Sequence, residues 1–227
     1  MIDATIIYYT SNQIHEYFAE NIRKKIVESS GNKLPIISVS QKPINFGKNI
    51  CVGKIGVLVY NVYKQILAGA KKAETKFVMC AEDDTLYPPE HFKTTRPQQD
   101  RLYYNTHRWT IDPSNVYFFR RHKISMLACI APTDMLIDIL ETRFKMFPEP
   151  VPKGIFQPAE PGMCEKYFDL PKVHYKKFAT KQPIVTFSHR GGLGGRRKIV
   201  YMTDKLQNTL EPWGKASVLW EKIYGNS

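Results

Sequence analysis

The stretch KFVMCAEDDTLYP, residues 76–88, decides how the chain is interpreted. It opens with mostly apolar residues, typical of a buried strand, and runs directly into three consecutive carboxylates, Glu82, Asp83 and Asp84. Carboxylates crowded together repel one another, which raises their pKa values and costs folding free energy. A strand that ends in this way predicts a positively charged partner for the carboxylates and a function for the site that they form.

Strand and helix patterns alternate along the residues that precede this strand. The residues ATIIYYT (Ala4–Thr10) predict a strand buried on both faces, and residues 35–40 predict a second, shorter strand. A helix between them is predicted to be capped by Asn12 and ended by Gly31, and another helix is predicted over residues 55–70. This order indicates right-handed crossovers. We therefore expect an α/β fold whose central sheet is mainly parallel and flanked by helices.

The pattern changes in the second part of the chain. Residues 147–183 are rich in Pro, Lys and aromatic residues with little periodicity, which is typical of a long functional loop. No repeat, low-complexity tract or linker divides the 227 residues, so we expect one domain over residues 1–227. Strands are predicted at residues 101–111, 115–119, 126–132 and 183–188. One helix is predicted to begin at Thr133, and a last helix to begin at Pro212 and end at Gly225.

The composition indicates a globular protein with excess positive charge. Hydrophobic residues make up 43% of the chain, and 33 Lys and Arg against 21 Asp and Glu give a net charge of +12. This charge favours polyanionic partners through long-range attraction, although it can also serve solubility alone. The basic residues cluster at residues 120–123, 172–181 and 190–198.

The chain shows no pattern of export or membrane insertion. Its apolar runs are shorter than the roughly 20 residues that span a bilayer, and its N-terminus lacks the basic start and cleavage site of a secretion signal. The four cysteines are scattered without a CxxC pair. We therefore expect reduced thiols in a cytoplasmic protein, with disulfide bonds as the alternative.

Two constellations of residues indicate the chemistry. In an open α/β sheet, ligands bind beyond the carboxyl ends of the strands, where the three carboxylates suit a hard divalent cation that bridges them to phosphate oxygens. The alternative is that they cap turns. The second constellation, HRGGLGGRRK at residues 189–198, follows a predicted strand. Its glycines allow close backbone approach, its arginines can grip phosphate oxygens and His189 can ligate the same metal, unless the segment is only a basic surface loop.

Together the two constellations suit a diphosphate leaving group. The chain has no P-loop, and its glycines do not occupy the first strand-to-helix turn, as a dinucleotide-binding motif requires. A cation and arginines can stabilise the charge that develops on a departing diphosphate. Sugar transfer from a nucleotide-sugar requires this stabilisation of the departing diphosphate.

The sequence also resembles a known family. Residues 63–92 are similar to the central motif of GT-A fold glycosyltransferases, in which a helix precedes a strand that ends in an acidic DxD-type signature and a Pro-rich turn. Glu82 stands where that signature has its first Asp, and this departure leaves open whether Glu82 contacts the metal or the ribose of the nucleotide. The elements LYYNTHRW (102–109), EPG (160–162) and the late His189 followed by Arg resemble those of small glycosyltransferase-like proteins. The resemblance extends over most of the chain.

The resemblance implies a single GT-A-like, Rossmann-related domain. Residues 1–92 would bind the nucleotide-sugar, and residues 93–227 would bind the acceptor and carry the metal and diphosphate loop. The cofactor would be Mn²⁺ or Mg²⁺, and the donor a nucleoside-diphosphate sugar. Asp84 would be the main metal ligand together with His189, helped by Glu82 or Asp83. The nucleoside would contact the end of the first strand, at Tyr8, Thr10 and Ser11. The diphosphate would contact the late arginines Arg190, Arg196 and Arg197.

An inverting transferase needs a carboxylate that takes the proton from the acceptor hydroxyl. Glu160 in the EPG element is the first candidate, with an exposed loop glutamate as the alternative, and Glu165 is the second candidate. Inversion is expected because the chain shows no evident nucleophile. Asp134 follows Thr133 at a helix start and suits the helix dipole instead. Trp109 can stack on a sugar or base, or belong to the core.

The acceptor is predicted from charge and aromatic content. Basic residues interleaved with Tyr, Phe and Trp predict a polyanion, for example DNA with a hydroxymethylated base that is flipped out or single-stranded. One alternative is a sugar-phosphate nucleotidyltransferase, but that class carries a Gly-rich loop after the first strand, where YYTSNQIHEY has no glycine. Another is a non-catalytic nucleic-acid-binding protein, which leaves the acidic triplet without a purpose.

Overall fold

The computed structural model describes residues 3–93, 97–112, 114, 117–148, 160–163, 165–189 and 206–225. Short 3₁₀ turns lie at Met126–Ala128 and Glu165–Tyr167. The helices in the described residues are α1 (Glu16–Ser30), α2 (Val59–Ala70), α3 (Pro89–Phe92), α4 (Thr133–Met146) and α5 (Ala216–Tyr224). The strands are β1 (Ala4–Thr10), β2 (Ile36–Ser40), β3 (Lys48–Cys51), β4 (Phe77–Glu82), β5 (Thr85–Leu86), β6 (Leu102–Asn105), β7 (Arg108–Ile111), β8 (Phe118–Arg121), β9 (Cys129–Pro132), β10 (Tyr175–Phe178), β11 (Ile184–Phe187), β12 (Leu206–Gln207), β13 (Thr209–Leu210) and β14 (Gly214–Lys215).

The central sheet has seven strands in the order β10-β6-β9-β4-β1-β2-β3. Within this sheet β9 alone runs against its neighbours, since every other adjacent pair is parallel. The prediction of an α/β fold with a mainly parallel sheet is therefore confirmed. The strand that carries the acidic triplet, β4, lies in the middle of the sheet beside β1.

Helices cover both faces of the central sheet because its inner strands are apolar on both sides. In β1, Ile6 and Tyr8 pack with α1 and α5, whereas Ile7 and Tyr9 pack with α2 and α4 on the opposite face. The helix α2 approaches the sheet closely at Gly69, where an added Cβ would lie 2.6 Å from Ile7 Cγ2. Continuous apolar strands of this kind are typical of parallel sheets. Among the described helices, none is long and apolar enough to cross a bilayer.

A second sheet, in the order β12-β8-β7-β11-β5, brings the late part of the chain to the end of β4. The short strand β5 follows the acidic triplet and pairs antiparallel with β11. The Oγ1 atoms of Thr85 and Thr186 lie 3.1 Å apart across this pair. The backbone N–H of Phe187 donates to the carbonyl oxygen of Asp84 at 2.8 Å. Residues about a hundred positions apart are therefore aligned at one point.

Two helix starts predicted in the first part of the chain are wrong. The N-cap of α1 is His15, whose ring accepts from the Tyr17 N–H, while the Asn12 side chain instead accepts from two backbone N–H groups of the next loop. The helix α2 begins at Val59 rather than Ile55, because the Gln41 side chain holds the backbone before it in a loop.

The other differences lie in the second part of the chain. Thr133 is the first residue of α4, but its hydroxyl donates to the Thr75 carbonyl rather than capping the helix. The last helix starts at Ala216, after a turn that contains Pro212. It ends before Gly225, as predicted. The long segment expected to be a loop contains the edge strand β10.

Candidate active site

The acidic triplet lies at the carboxyl edge of the central sheet, where β4 and β1 end side by side. The register pairs Tyr9 with Glu82, so the residues that follow each strand face one another. The Thr10 hydroxyl donates to an oxygen of the Asp83 carboxylate, and the Asn12 N–H donates to Thr10 Oγ1 at 2.8 Å. Ligands of open α/β sheets bind at this edge. The structure thus places the triplet where the sequence predicted.

The repulsion expected among the three carboxylates is present. Burial, followed by the charge of Asp84, raises the pKa of Asp83 to about 7, although the Thr10 hydrogen bond and the charge of His189 oppose the rise. Burial and the same charge of Asp84 also hold the pKa of Glu82 well above its ordinary value. The site therefore has a strong electrostatic preference for a nearby cation.

His189 lies against the last carboxylate of the triplet. Its Nε2 atom is 3.4 Å from Asp84 Oδ2, and the two side chains are only 8% and 13% exposed. Asp84 Oδ1 accepts a hydrogen bond from Thr85 Oγ1 at 2.8 Å, which orients the carboxylate. Burial lowers the pKa of His189, but the hydrogen bond and charge of Asp84 and the charge of Asp83 outweigh it, so this pKa is raised overall. The pairing of β5 with β11 creates this contact.

The donor atoms suit a cation that is shared with a phosphate-bearing ligand. Within the described residues, no group of three or more His, Cys, Asp or Glu side chains could hold a metal on its own. Asp84 and His189 offer one oxygen and one nitrogen donor, while Asp83 is engaged by Thr10. A Mg²⁺ site is often completed in this way, with one or two carboxylates, waters and substrate phosphates.

The residues predicted to contact the nucleotide differ in their access to ligand. Tyr8 is completely buried, with its ring 5.0 Å from that of Phe46 in an edge-to-face contact, so it has no surface for a direct contact in this structure. Thr10 is also buried and positions Asp83. Ser11 is half-exposed and is the part of the predicted segment nearest to solvent. The predicted diphosphate ligands Arg190, Arg196 and Arg197 lie outside the described residues.

Glu160 is held by hydrogen bonds from two parts of the fold, so it is not a freely exposed loop residue. Its Oε2 atom accepts from Tyr63 Oη in α2 and from the backbone N–H of Met126, both at 3.1 Å. The residue is half-buried. Burial raises its pKa, while Arg108 provides the largest opposing effect. A carboxylate with a raised pKa and a fixed position is a candidate general base.

Glu160 lies at the same edge of the sheet as the acidic triplet. The 3₁₀ turn Met126–Ala128 connects the two, because Met126 donates to Glu160 and the Leu127 carbonyl accepts from Tyr87 Oη at 2.9 Å. Tyr87 Oη in turn accepts from the Glu82 N–H at 2.9 Å. Tyr63 and Tyr87 were not predicted as site residues, since no local pattern distinguishes a tyrosine with a positioning role from a core tyrosine.

The second candidate base, Glu165, is committed to a structural contact. Its Oε1 atom lies 2.7 Å from Arg143 Nη2 in a buried ion pair and accepts from the Gly162 N–H at 2.8 Å. It therefore closes the turn that carries Glu160. Trp109 is 4% exposed and belongs to the core, and Asp134 is exposed in the first turn of α4, where a negative charge is favourable.

Comparison with known proteins supports the fold. No family model and no curated protein sequence matches the chain. The structure is similar to that of S. aureus TarS residues 1–349 in complex with UDP-GlcNAc, with a TM-score of 0.51 and 12% identity. The aligned region covers 84% of this chain and 60% of the TarS 1–349 chain, so this chain spans about three fifths of that crystallised TarS chain.

Two further similarities are weaker. A glycosyltransferase involved in glycosylation of the major capsid of PBCV-1 matches with a TM-score of 0.49 and 11% identity, over 81% of this chain and 91% of that one. HddC from Yersinia pseudotuberculosis matches with a TM-score of 0.46 and 10% identity, over 84% and 95% of the two chains. The similarity to TarS shows a shared α/β fold built on a large central sheet flanked by helices.

Proposed function

We propose that this protein is a metal-dependent glycosyltransferase that moves a sugar from a nucleoside-diphosphate donor to an acceptor hydroxyl. The observation that carries the proposal is the contact between His189 and Asp84 at the carboxyl edge of the sheet, with Glu160 at the same edge. The shared fold with TarS, which was crystallised with UDP-GlcNAc, is consistent with a nucleotide-sugar donor.

The acidic triplet and His189 would bind the diphosphate of the donor through a cation. Asp84 and His189 would hold Mn²⁺ or Mg²⁺, with Glu82 and Asp83 adding negative charge around it. When bound, the cation would neutralise the charge that develops on the leaving nucleoside diphosphate. Ser11, which follows β1 and is half-exposed, would contact the nucleoside. Arg190, Arg196 and Arg197 remain our proposed diphosphate ligands.

Glu160 would act as the general base of an inverting transfer. Its carboxylate would take the proton from the acceptor hydroxyl, while the hydroxyl oxygen attacks the anomeric carbon and the bond from that carbon to the diphosphate oxygen breaks. Tyr63 and the Met126 N–H would hold the carboxylate through Oε2 during this step. Because Glu165 is bound to Arg143, Glu160 is the better placed of the two candidates.

The acceptor proposed here is a polyanion, for example single-stranded DNA with a hydroxymethylated base. The edge strand β10 is mostly exposed. The ring of Tyr175 in this strand packs against Gly162 so closely that a Cβ added to Gly162 would lie 2.3 Å from the ring. Gly162 is two residues from Glu160, so the strand runs beside the proposed base. Its exposed lysines are suited to phosphate groups and its exposed tyrosine to base stacking. The exposed lysines of this surface are Lys172, Lys176, Lys177 and Lys181.

Donor binding tests the proposal directly. We expect a set of nucleotide-sugars to raise the melting temperature of the protein in the presence of Mn²⁺, and the effect to disappear with EDTA. Asp84→Asn and His189→Ala should each weaken this metal-dependent stabilisation at least about tenfold in apparent affinity while the variants stay folded. The matched control is Asp138→Asn on the exposed face of α4.

Equal donor affinity with and without Mn²⁺ would remove the proposal. A protein that binds nucleic acid alone would show no response to any nucleotide-sugar. A nucleotidyltransferase, supplied instead with a nucleoside triphosphate and a sugar phosphate, would form a nucleotide-sugar and release pyrophosphate.

Turnover tests the general base separately. Glu160→Gln should retain donor binding, because Glu160 is not one of the proposed metal or donor ligands, yet lower transfer or donor hydrolysis by about 10²–10⁴-fold. The measurement is release of nucleoside diphosphate by the purified variant. Unchanged turnover would exclude Glu160 as the base.

A further inference from the structure

A buried arginine, Arg108, interacts with carboxylates from both parts of the proposed site, Glu160 and Glu82. It is the first residue of β7 and is only 6% exposed. Its Nη1 atom donates to the Lys123 carbonyl at 2.8 Å, three residues before the Met126 N–H that binds Glu160. Its Nε atom is buried and has no hydrogen-bond partner among the described residues.

A buried guanidinium needs nearby negative charge, because its transfer out of water is costly. Burial lowers the pKa of Arg108, and the carboxylates that oppose this effect are those of Glu160 and Glu82, while Arg121 adds repulsion. The charge of Arg108 is therefore opposed by one carboxylate of the proposed base, Glu160, and one of the acidic triplet, Glu82.

Several other groups act on Glu160, and Arg108 dominates among those that favour its charged form. Burial is the largest influence and raises the pKa of Glu160; Arg108 opposes it most, ahead of Tyr63, the Met126 N–H and Arg143. Among the described residues, titratable groups from six elements interact with Glu160. They are Tyr63 in α2, Arg143 in α4, Cys80 in β4, Tyr104 in β6, Arg108 in β7 and Cys129 in β9.

We propose that Arg108 is a positioning residue whose fixed positive charge keeps Glu160 ionised and oriented for proton abstraction. The proposal rests on the proposed function, since it assigns Arg108 a role toward the general base. Arg143 is less suited to this role because it forms a buried ion pair with Glu165. Arg108, by contrast, has a buried Nε atom to which none of the described residues offers a hydrogen bond.

The test is an NMR titration of the Glu160 carboxyl carbon in protein labelled with ¹³C-glutamate, without metal or substrate. The Glu160 signal is assigned by its loss in Glu160→Gln. In Arg108→Met we expect the titration midpoint of Glu160 to rise by about one pH unit or more, and in Arg108→Lys by less than half of that rise. Arg101→Gln, which removes an exposed arginine paired with Asp100, should leave the midpoint unchanged.

A folded Arg108→Met variant with an unshifted Glu160 midpoint overturns the proposal. If that variant does not fold, Arg108→Met combined with Glu82→Gln leaves one fewer unpaired buried carboxylate and gives the same decisive measurement. The titration requires no transfer activity, so its failure is distinct from failure of the donor-binding test. Where transfer is measurable, the acidic limb of its pH profile should move upward with the Glu160 midpoint.

Discussion

At the scale of single residues, burial acts in opposite directions on two titratable groups near the end of β4. It raises the pKa of the Asp83 carboxyl to about 7 and lowers the pKa of His91, in α3, to about 3. Both shifts follow from one cause, because a low-dielectric interior disfavours whichever protonation state is charged. For Asp83 the charge of Asp84 adds to the shift. The imidazole of His91 is packed between the rings of Tyr87 and Phe178.

The depressed pKa of His91 predicts acid sensitivity of folding. Between about pH 6.5 and 3 the unfolded chain binds a proton at His91 that the folded protein excludes. The free energy of unfolding therefore has its full value above this pH range and falls as the pH decreases through it. His91→Phe should reduce the loss of unfolding free energy between pH 7 and pH 5 by about 2 kcal/mol.

Urea denaturation at the two pH values measures this effect. His122→Phe is the matched control, because His122 is exposed. The explanation fails if His91→Phe and the control lose the same free energy on acidification.

At the scale of elements, the turn that carries Glu160 is fixed by contacts from three neighbouring elements. Tyr104 in β6 donates through its hydroxyl to the Pro161 carbonyl at 2.8 Å, and the ring of Tyr175 in β10 packs on Gly162. The buried ion pair of Glu165 with Arg143 closes the same turn from α4. A glycine is required at position 162 because its φ is +98° and no space remains for a Cβ.

Gly162→Ala should therefore destabilise the protein by about 3 kcal/mol and lower turnover. The strain of positive φ contributes about 1 kcal/mol, and displacement of the Tyr175 ring contributes the remainder. Gly53→Ala is the matched control, since Gly53 has a φ of +73° and nothing within 4 Å of an added Cβ. Chemical denaturation of both variants measures the difference.

Relief of the contact gives a second measurement. Adding Tyr175→Ala to Gly162→Ala should recover part of the lost free energy of unfolding, because the truncated side chain leaves room for the methyl group. Equal destabilisation by the two glycine variants would show that the ring contact contributes nothing.

At the scale of the whole molecule, the net charge of +12 predicts salt-dependent binding of polyanions. The affinity for single-stranded DNA should fall with salt concentration, and replacing the four exposed lysines around β10 by Gln should reduce the slope of log K against log salt by about 3. Fluorescence anisotropy with a labelled oligonucleotide at several salt concentrations measures the slope. The replaced residues are Lys172, Lys176, Lys177 and Lys181.

The control removes the same charge from the opposite, amino edge of the central sheet. In this control variant, four exposed lysines are replaced by Gln, namely Lys33, Lys71, Lys72 and Lys76. Equal changes of slope in the two variants would mean that the overall charge, rather than the β10 surface, attracts DNA.

Much of the fold was predictable because its determinants are local. The boundaries of β1 and the end of α1 at Gly31 follow from apolar runs and glycine, which act within a few residues. The start of α2 was not predictable, because the side chain of Gln41, fourteen residues before Ile55, decides it. Likewise β10 is a strand because β6 pairs with it, although its own sequence is mostly lysine and aromatic residues.

The sequence by itself determined that three carboxylates end a central strand and that a histidine ends a late one, since strand patterns and their flanking residues are local properties. Only the tertiary structure decided that Asp84 meets His189, that Glu160 binds Tyr63 and the Met126 N–H, and that the charge of Arg108 acts on Glu160. These contacts depend on strand pairing and helix packing between distant segments. No periodicity in the chain encodes which distant strand or helix becomes a neighbour.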